Sequence, residues 1–231
     1  MHFDDLYSTN ILFIVQILFM DNNYKGKIPK ISEIIAKEIG VSHNYYTEEI
    51  LSHNFKKFDE IFQYAKNILK KEGYKLTDEE FELFLDKNLS DEKFNEKLIY
   101  NYFGQNTRLV EFYRKILESD TSDLKVLNDI FKEFETYLNE EEVSIALTMK
   151  YVLHYSYSFW KIQYENNYDS VSLEKRPLWK NVVASDVGSV AGNLIRSALI
   201  AGISGPGAPI TYAISFGLGT AMASGTTYLL N

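Results

Sequence analysis

The chain has no cysteine. That excludes disulfides, thiolate-bound zinc, iron–sulfur clusters and thiol catalysis, and says nothing about compartment. It also has no cluster of Lys and Arg: the net charge is −8, and phosphate recognition needs concentrated positive charge, so a nucleic acid is not an expected partner. Nucleotide, zinc-protease and serine-hydrolase signatures (G-x-x-x-x-G-K-[ST], G-x-G-x-x-G after a strand, H-E-x-x-H, G-x-S-x-G) are missing. The loop Gly202-Ile203-Ser204-Gly205-Pro206-Gly207 resembles a phosphate loop only superficially, because it lacks the lysine and a preceding strand. Apolar–polar alternation and hairpin dipeptides are absent too, which leaves no signal for strands. The run Ile11–Met20 is ten residues long, the length of a signal-peptide apolar region and too short to span a bilayer. Asp4 and Asp5 precede it in place of basic residues, and no small-x-small cleavage site follows. It is expected to form a first core helix, with export left open.

What is present is helical periodicity. With 45% hydrophobic residues the chain can bury a core. Ile34, Ile35 and Ile39 predict a helix over 32–39 that stops at Gly40. Phe58, Ile61, Phe62, Ala65, Ile68 and Leu69 fall at i, i+3, i+4 spacing in a run over 55–72 that ends at Gly73. Thr77 and Glu80 fit a capping box. Ser90 precedes a short helix ending near Gly104. Leu109 to Leu117 and Leu124 to Leu138 mark two more. From Val143 to Trp160 the only formal charge is Lys150, and apolar residues lie all round the helical wheel, as in the central helix of a bundle.

After a polar stretch over 166–178 the composition changes. From Val187 to Asn231 the only Asp, Glu, Lys, Arg or His is Arg196, and eight of the twelve glycines lie there. Gly205-Pro206-Gly207-Ala208-Pro209 cannot continue a helix, so the tail reads as a helical hairpin with arms near 185–204 and 209–230. In the second arm Ala213, Gly217, Ala221 and Gly225 form one ridge of minimal side chain, flanked by Ser215, Gly219 and Ala223. Gly188 and Gly192 repeat the spacing in the first arm. Such ridges let backbones approach closely, and glycine inside a water-exposed helix costs about 1 kcal/mol, so the ridges need a partner surface. The second arm, roughly 33 Å long, matches the hydrocarbon thickness of a bilayer. The first carries a polar stripe of Asp186, Ser189, Asn193, Arg196 and Ser197, and an arginine at that depth must face protein or water.

The expected fold is therefore all-α, a multi-helix bundle over 1–165, a linker over 166–178 and a glycine-zipper hairpin over 179–231. That division predicts that residues 1–180 fold without the tail. Candidate helix-packing residues are Gly188, Gly192, Ala213, Gly217, Ala221 and Gly225; the candidate functional polar residues of the tail are Asp186 and Arg196.

Chemistry is scarce. Glu49 and His53 share a helical face at i, i+4, a spacing that can hold a metal, with His43 nearby in sequence. No third ligand is fixed by spacing, so helix capping and solvated polar groups are the stronger expectation. The acidic runs Asp78-Glu79-Glu80 and Glu140-Glu141-Glu142 sit at expected helix N-termini, where carboxylates suit the dipole. No catalytic residue, metal site or cofactor is assigned.

Three segments, Gly40-Val41-Ser42-His43-Asn44, Ser158-Phe159-Trp160 and Asp186-Val187-Gly188, together resemble a bacterial family common in Bacteroidetes. Its members pair a G-x-x-H-N segment in a helical domain with a Trp-containing approach to a glycine-zipper C-terminus. The resemblance implies no activity. The chain departs from that pattern in lacking a clear signal peptide and in carrying Arg196. Heavy use of Lys, Asn, Ile, Tyr and Phe also looks like an A+T-rich bacterial coding bias. The expectation is a non-enzymatic, membrane-associating protein whose hairpin packs or inserts in a bilayer in the manner of a toxin or bacteriocin. The alternative is a soluble helical interaction module whose tail packs in the core or mediates self-association. The partners expected are membrane lipid, a second copy of the chain or another helical protein, at a bacterial membrane or in the cytoplasm.

Overall fold

A computed structural model describes residues 26–166, 178–199 and 209–230. The expected first helix over the Ile11–Met20 run, the central part of the 166–178 linker and the Gly-Pro loop lie outside the described residues. Among those described there are nine α-helices, one short 3₁₀ turn and no strand: α1 Glu33–Ser52, α2 Phe58–Lys71, α3 Asp78–Phe84, the 3₁₀ turn Lys87–Ser90, α4 Glu92–Phe103, α5 Leu109–Glu118, α6 Leu124–Glu135, α7 Glu140–Asn166, α8 Leu178–Leu199 and α9 Pro209–Leu230. The protein is all-α.

Local sequence signals set most of the boundaries. Thr77 accepts from the Glu80 amide while Glu80 accepts from the Thr77 amide, a complete capping box at the head of α3. Asp91 and Asp123 cap α4 and α6 with side-chain acceptors. Gly73 and Gly104, with φ of +89° and +93°, leave α2 and α4 in a conformation that side chains disfavour. Gly40 behaves differently. The helix expected to stop there continues to Ser52, because Gly40 serves as a close contact in mid-helix: a Cβ at this position would lie 2.5 Å from the Tyr155 ring and 3.0 Å from the Tyr151 carbonyl oxygen on α7.

Four helices close a ring around the core: α1 packs on α9, α9 on α8, α8 on α7 and α7 on α1. The remaining elements cover this centre. α2 lies on α9, the 3₁₀ turn touches both arms of the hairpin, α4 lies on α8, and α5 and α6 lie on α7. The hairpin arms thus share a core with the helices before them. Val187, Leu194, Ile195, Leu218 and Ala221 are as fully buried as Ile39, Ile50 and Ile61.

The acidic run that opens α7 does more than meet a helix dipole. Glu142 is buried, where it accepts from the Thr107 hydroxyl and the Asn139 amide, and Glu141 accepts from the Ile28 amide. These contacts tie the segment before α1 and the loop before α5 to the head of α7.

Candidate functional site

Asp186 lies on the buried side of α8, fully enclosed where α1, α7, α8 and α9 meet. Its Oδ2 accepts from the Ser156 hydroxyl at 2.6 Å and from the Trp160 indole nitrogen at 3.1 Å, both on α7. Its Oδ1 accepts from the Ser224 hydroxyl on α9. From α1, His43 Nε2 stands 3.2 Å from Oδ2, a close electrostatic contact without hydrogen-bond alignment. All three hydrogen bonds run toward the carboxylate, so one side chain joins α7, α8 and α9 and touches α1. Removing a carboxylate from water is costly unless donors replace the water, and here they do.

The three segments of the family resemblance therefore converge: His43, Trp160 and Asp186 meet at one buried point. Sequence spacing could not show this. His43 and Asp186 lie far apart in the chain, and in sequence His43 stands nearer to His53. In the fold His53 lies outside this cluster, exposed at the C-terminal end of α1. Its Nδ1 is 2.7 Å from the Glu49 carbonyl oxygen, and its ring stacks on Phe55 with centroids 5.2 Å apart. Among the described residues no three His, Asp or Glu side chains are placed to share a metal. Ser156 and Ser224 carry no sequence signal beyond being hydroxyls in stretches with few charges.

Arg196, nearly three turns beyond Asp186 on α8, is also fully buried and forms the second polar cluster of the tail. It donates from Nη2 to Asp86 Oδ2 at 2.7 Å and from Nη1 to the Leu83 carbonyl oxygen, and its guanidinium lies 5.3 Å from the Phe94 ring centroid. Asp86 in turn accepts from the Asn88 amide and caps the 3₁₀ turn. The requirement that an arginine at this depth face protein is met inside the same chain. Asp86 could not have been picked out from sequence, since it is one acidic residue among many between two short helices.

The packing residues line the hairpin's seams. A Cβ on Gly217 would fall 2.5 Å from Ser42 Cβ and 2.9 Å from the His43 amide nitrogen, so α9 meets the α1 backbone directly. On Gly225 it would meet Ile50 Cγ2 at 2.6 Å, on Gly188 the Tyr113 hydroxyl at 2.9 Å, and on Gly192 Leu89 Cδ2 at 2.1 Å. Ala213 and Ala221 are buried on the same ridge. Gly219, on the neighbouring ridge, faces the Asn193 amide across the hairpin.

Chemically, the Asp186 centre holds parts in place. Ser156 and His43 both approach the same carboxylate oxygen, so the imidazole does not stand between serine and carboxylate as a proton carrier would. All three side chains are enclosed. No helix among the described residues is long and apolar enough to cross a membrane. The α9 arm meets the length condition, but charge-free is not the same as apolar, and its serines, threonines, glycines and tyrosines dilute Ile, Leu and Phe. No known family model, curated protein or solved structure matches the chain.

Proposed function

We propose that the chain is a non-enzymatic helical module whose uncharged hairpin is the internal element on which the amphipathic helices assemble. One observation carries this reading: the small-residue ridge of α9 is occupied within the chain. The surfaces at Gly217 and Gly225, which in sequence stood open to lipid or a second copy, lie against Ser42, His43 and Ile50 of α1. This favours the packed-core alternative over self-association through the ridge.

The packing argues against residues 1–180 folding alone. Cutting after Lys180 removes nearly all of α8 and all of α9, so Ser42, His43 and Ile50 of α1 and Ser156 and Trp160 of α7 lose their partners. The truncated chain is expected to keep much of its far-ultraviolet helical signal, lose its cooperative melt and bind a hydrophobic dye. A sharp two-state melt for residues 1–180 would show that the hairpin is an appendage.

A second reading, membrane association, is favoured by the arrangement of charge. The two ionisable groups of α8 buried at the hairpin's seams, Asp186 and Arg196, both bind partners outside the hairpin: Ser156 and Trp160 in one case, Asp86 and Leu83 in the other. A hairpin stored in this way inserts only after both sets of contacts break. Dye release from liposomes of neutral and anionic lipid, measured for the full chain from neutral to acid pH, tests this. Release on acidification is the expected sign of insertion, and intact vesicles throughout would leave only the packed-core reading.

A further inference from the structure

A groove of about 140 Å³ opens at the surface where the end of α5, the middle of α7 and the first turns of α8 meet. Its floor includes Leu153 and Val183, and its mouth carries Asp120, Tyr157, Trp179 and Lys180. The mouth is ordered. Tyr157 and Trp179 meet edge to face with centroids 5.0 Å apart, and the Tyr157 hydroxyl donates to the Asp120 carbonyl oxygen at 3.0 Å. Asp120, just past the end of α5, has φ of +48°, in the left-handed region that few side chains adopt. Lys180 Nζ stands 2.6 Å from Asp120 Oδ2 and 5.7 Å from the Trp179 ring centroid. An ammonium group is thus held between a carboxylate and the face of an indole, over an apolar floor.

We propose that this groove binds a small organic cation, an ammonium or alkylated ammonium group carrying an apolar body about the size of a benzene ring, and that Lys180 occupies the ammonium position when the groove is empty. Carboxylate plus aromatic face is the chemistry that recognises such cations. An ordinary surface ion pair needs neither the aromatic corner nor the apolar floor. Asp120 at the mouth disfavours an anionic ligand, and the net charge of −8 draws cations toward the surface. Asp120 and Lys180 are both about half exposed, so an incoming cation can compete with Lys180 without unfolding any helix.

The test is titration of the full chain with benzylammonium chloride, followed by ligand-observed NMR, in the wild type, Lys180→Met and Asp120→Asn. Benzyl alcohol serves as the neutral probe of the same shape. The wild type is expected to bind benzylammonium saturably. Lys180→Met, which removes the internal competitor, should bind it about fivefold or more tightly. Asp120→Asn, which tolerates the left-handed backbone but loses the charge, should bind it about tenfold more weakly. Benzyl alcohol should bind all three weakly and alike. Equal affinity for the two probes, or no gain in Lys180→Met, would reduce the groove to an apolar cleft and overturn the proposal. Absence of saturable benzylammonium binding in Lys180→Met would overturn it outright.

Discussion

Replacing Arg196 with leucine is expected to destabilise the protein by about 3–5 kcal/mol, because it leaves Asp86 charged, buried and without its partner. Domain stabilities are of order 5–15 kcal/mol, so the loss brings the variant close to unfolding. Leucine also leaves the Leu83 carbonyl without its donor and Phe94 without the guanidinium above it. The cost comes from the stranded carboxylate more than from the pair itself, so a second substitution should recover much of it. Asp86→Asn removes the charge while keeping an oxygen to cap the 3₁₀ turn that Asp86 caps now. Urea unfolding of both single variants and the double variant checks this. The double variant should be more stable than Arg196→Leu alone, with the steepness of the transition unchanged. Losses that simply add would mean that the two side chains do not act as a unit.

Gly217→Ala is expected to cost about 3 kcal/mol, although alanine is the better helix former by about 1 kcal/mol. The added methyl would meet Ser42 Cβ and the His43 amide at distances no real contact adopts, and neither atom is the free end of a side chain. α1 and α9 must separate. Gly225→Ala should cost less, since it crowds a single methyl of Ile50 where Gly217 crowds the α1 backbone as well. Gly73→Ala should cost only the strain of its positive φ, about 1 kcal/mol, since nothing lies within 4 Å. The order 217, 225, 73 in thermal or urea unfolding distinguishes contact from conformation, and equal losses at all three positions would refute the backbone-to-backbone seam.

Much of the helical content was legible because it is local. The capping box at Thr77 and the periodicity of α2, α5 and α6 each lie within about a dozen residues, and the structure places helices there. Gly40 misled because a glycine used as a helix stop and one used for close approach look identical in sequence. Only the presence of α7 against it decides between them. The ridge of Ala213, Gly217, Ala221 and Gly225 announced that something would pack closely there, but small side chains specify a distance and not a partner. The same limit applies to the two polar centres. Asp186 and Arg196 stood out by isolation in an uncharged tail, whereas Ser156, Ser224 and Asp86 had no such contrast.

The close contact of Gly217 with Ser42 and His43 joins positions about 170 residues apart in the chain, which has a consequence for how the protein is made. A ribosome adds about 5–20 residues per second, so α1 waits on the order of ten to thirty seconds before α9, one of the two long helices it packs against, exists. Throughout that interval Ser42, His43 and Ile50 have been synthesised but the glycines of α9 that they pack against have not, and loops this long close slowly. Final folding must therefore wait until α9 has emerged from the ribosome, and until then the face of α1 that meets it lacks its cover. A stop codon anywhere before α9 would yield a product missing the middle of its own core.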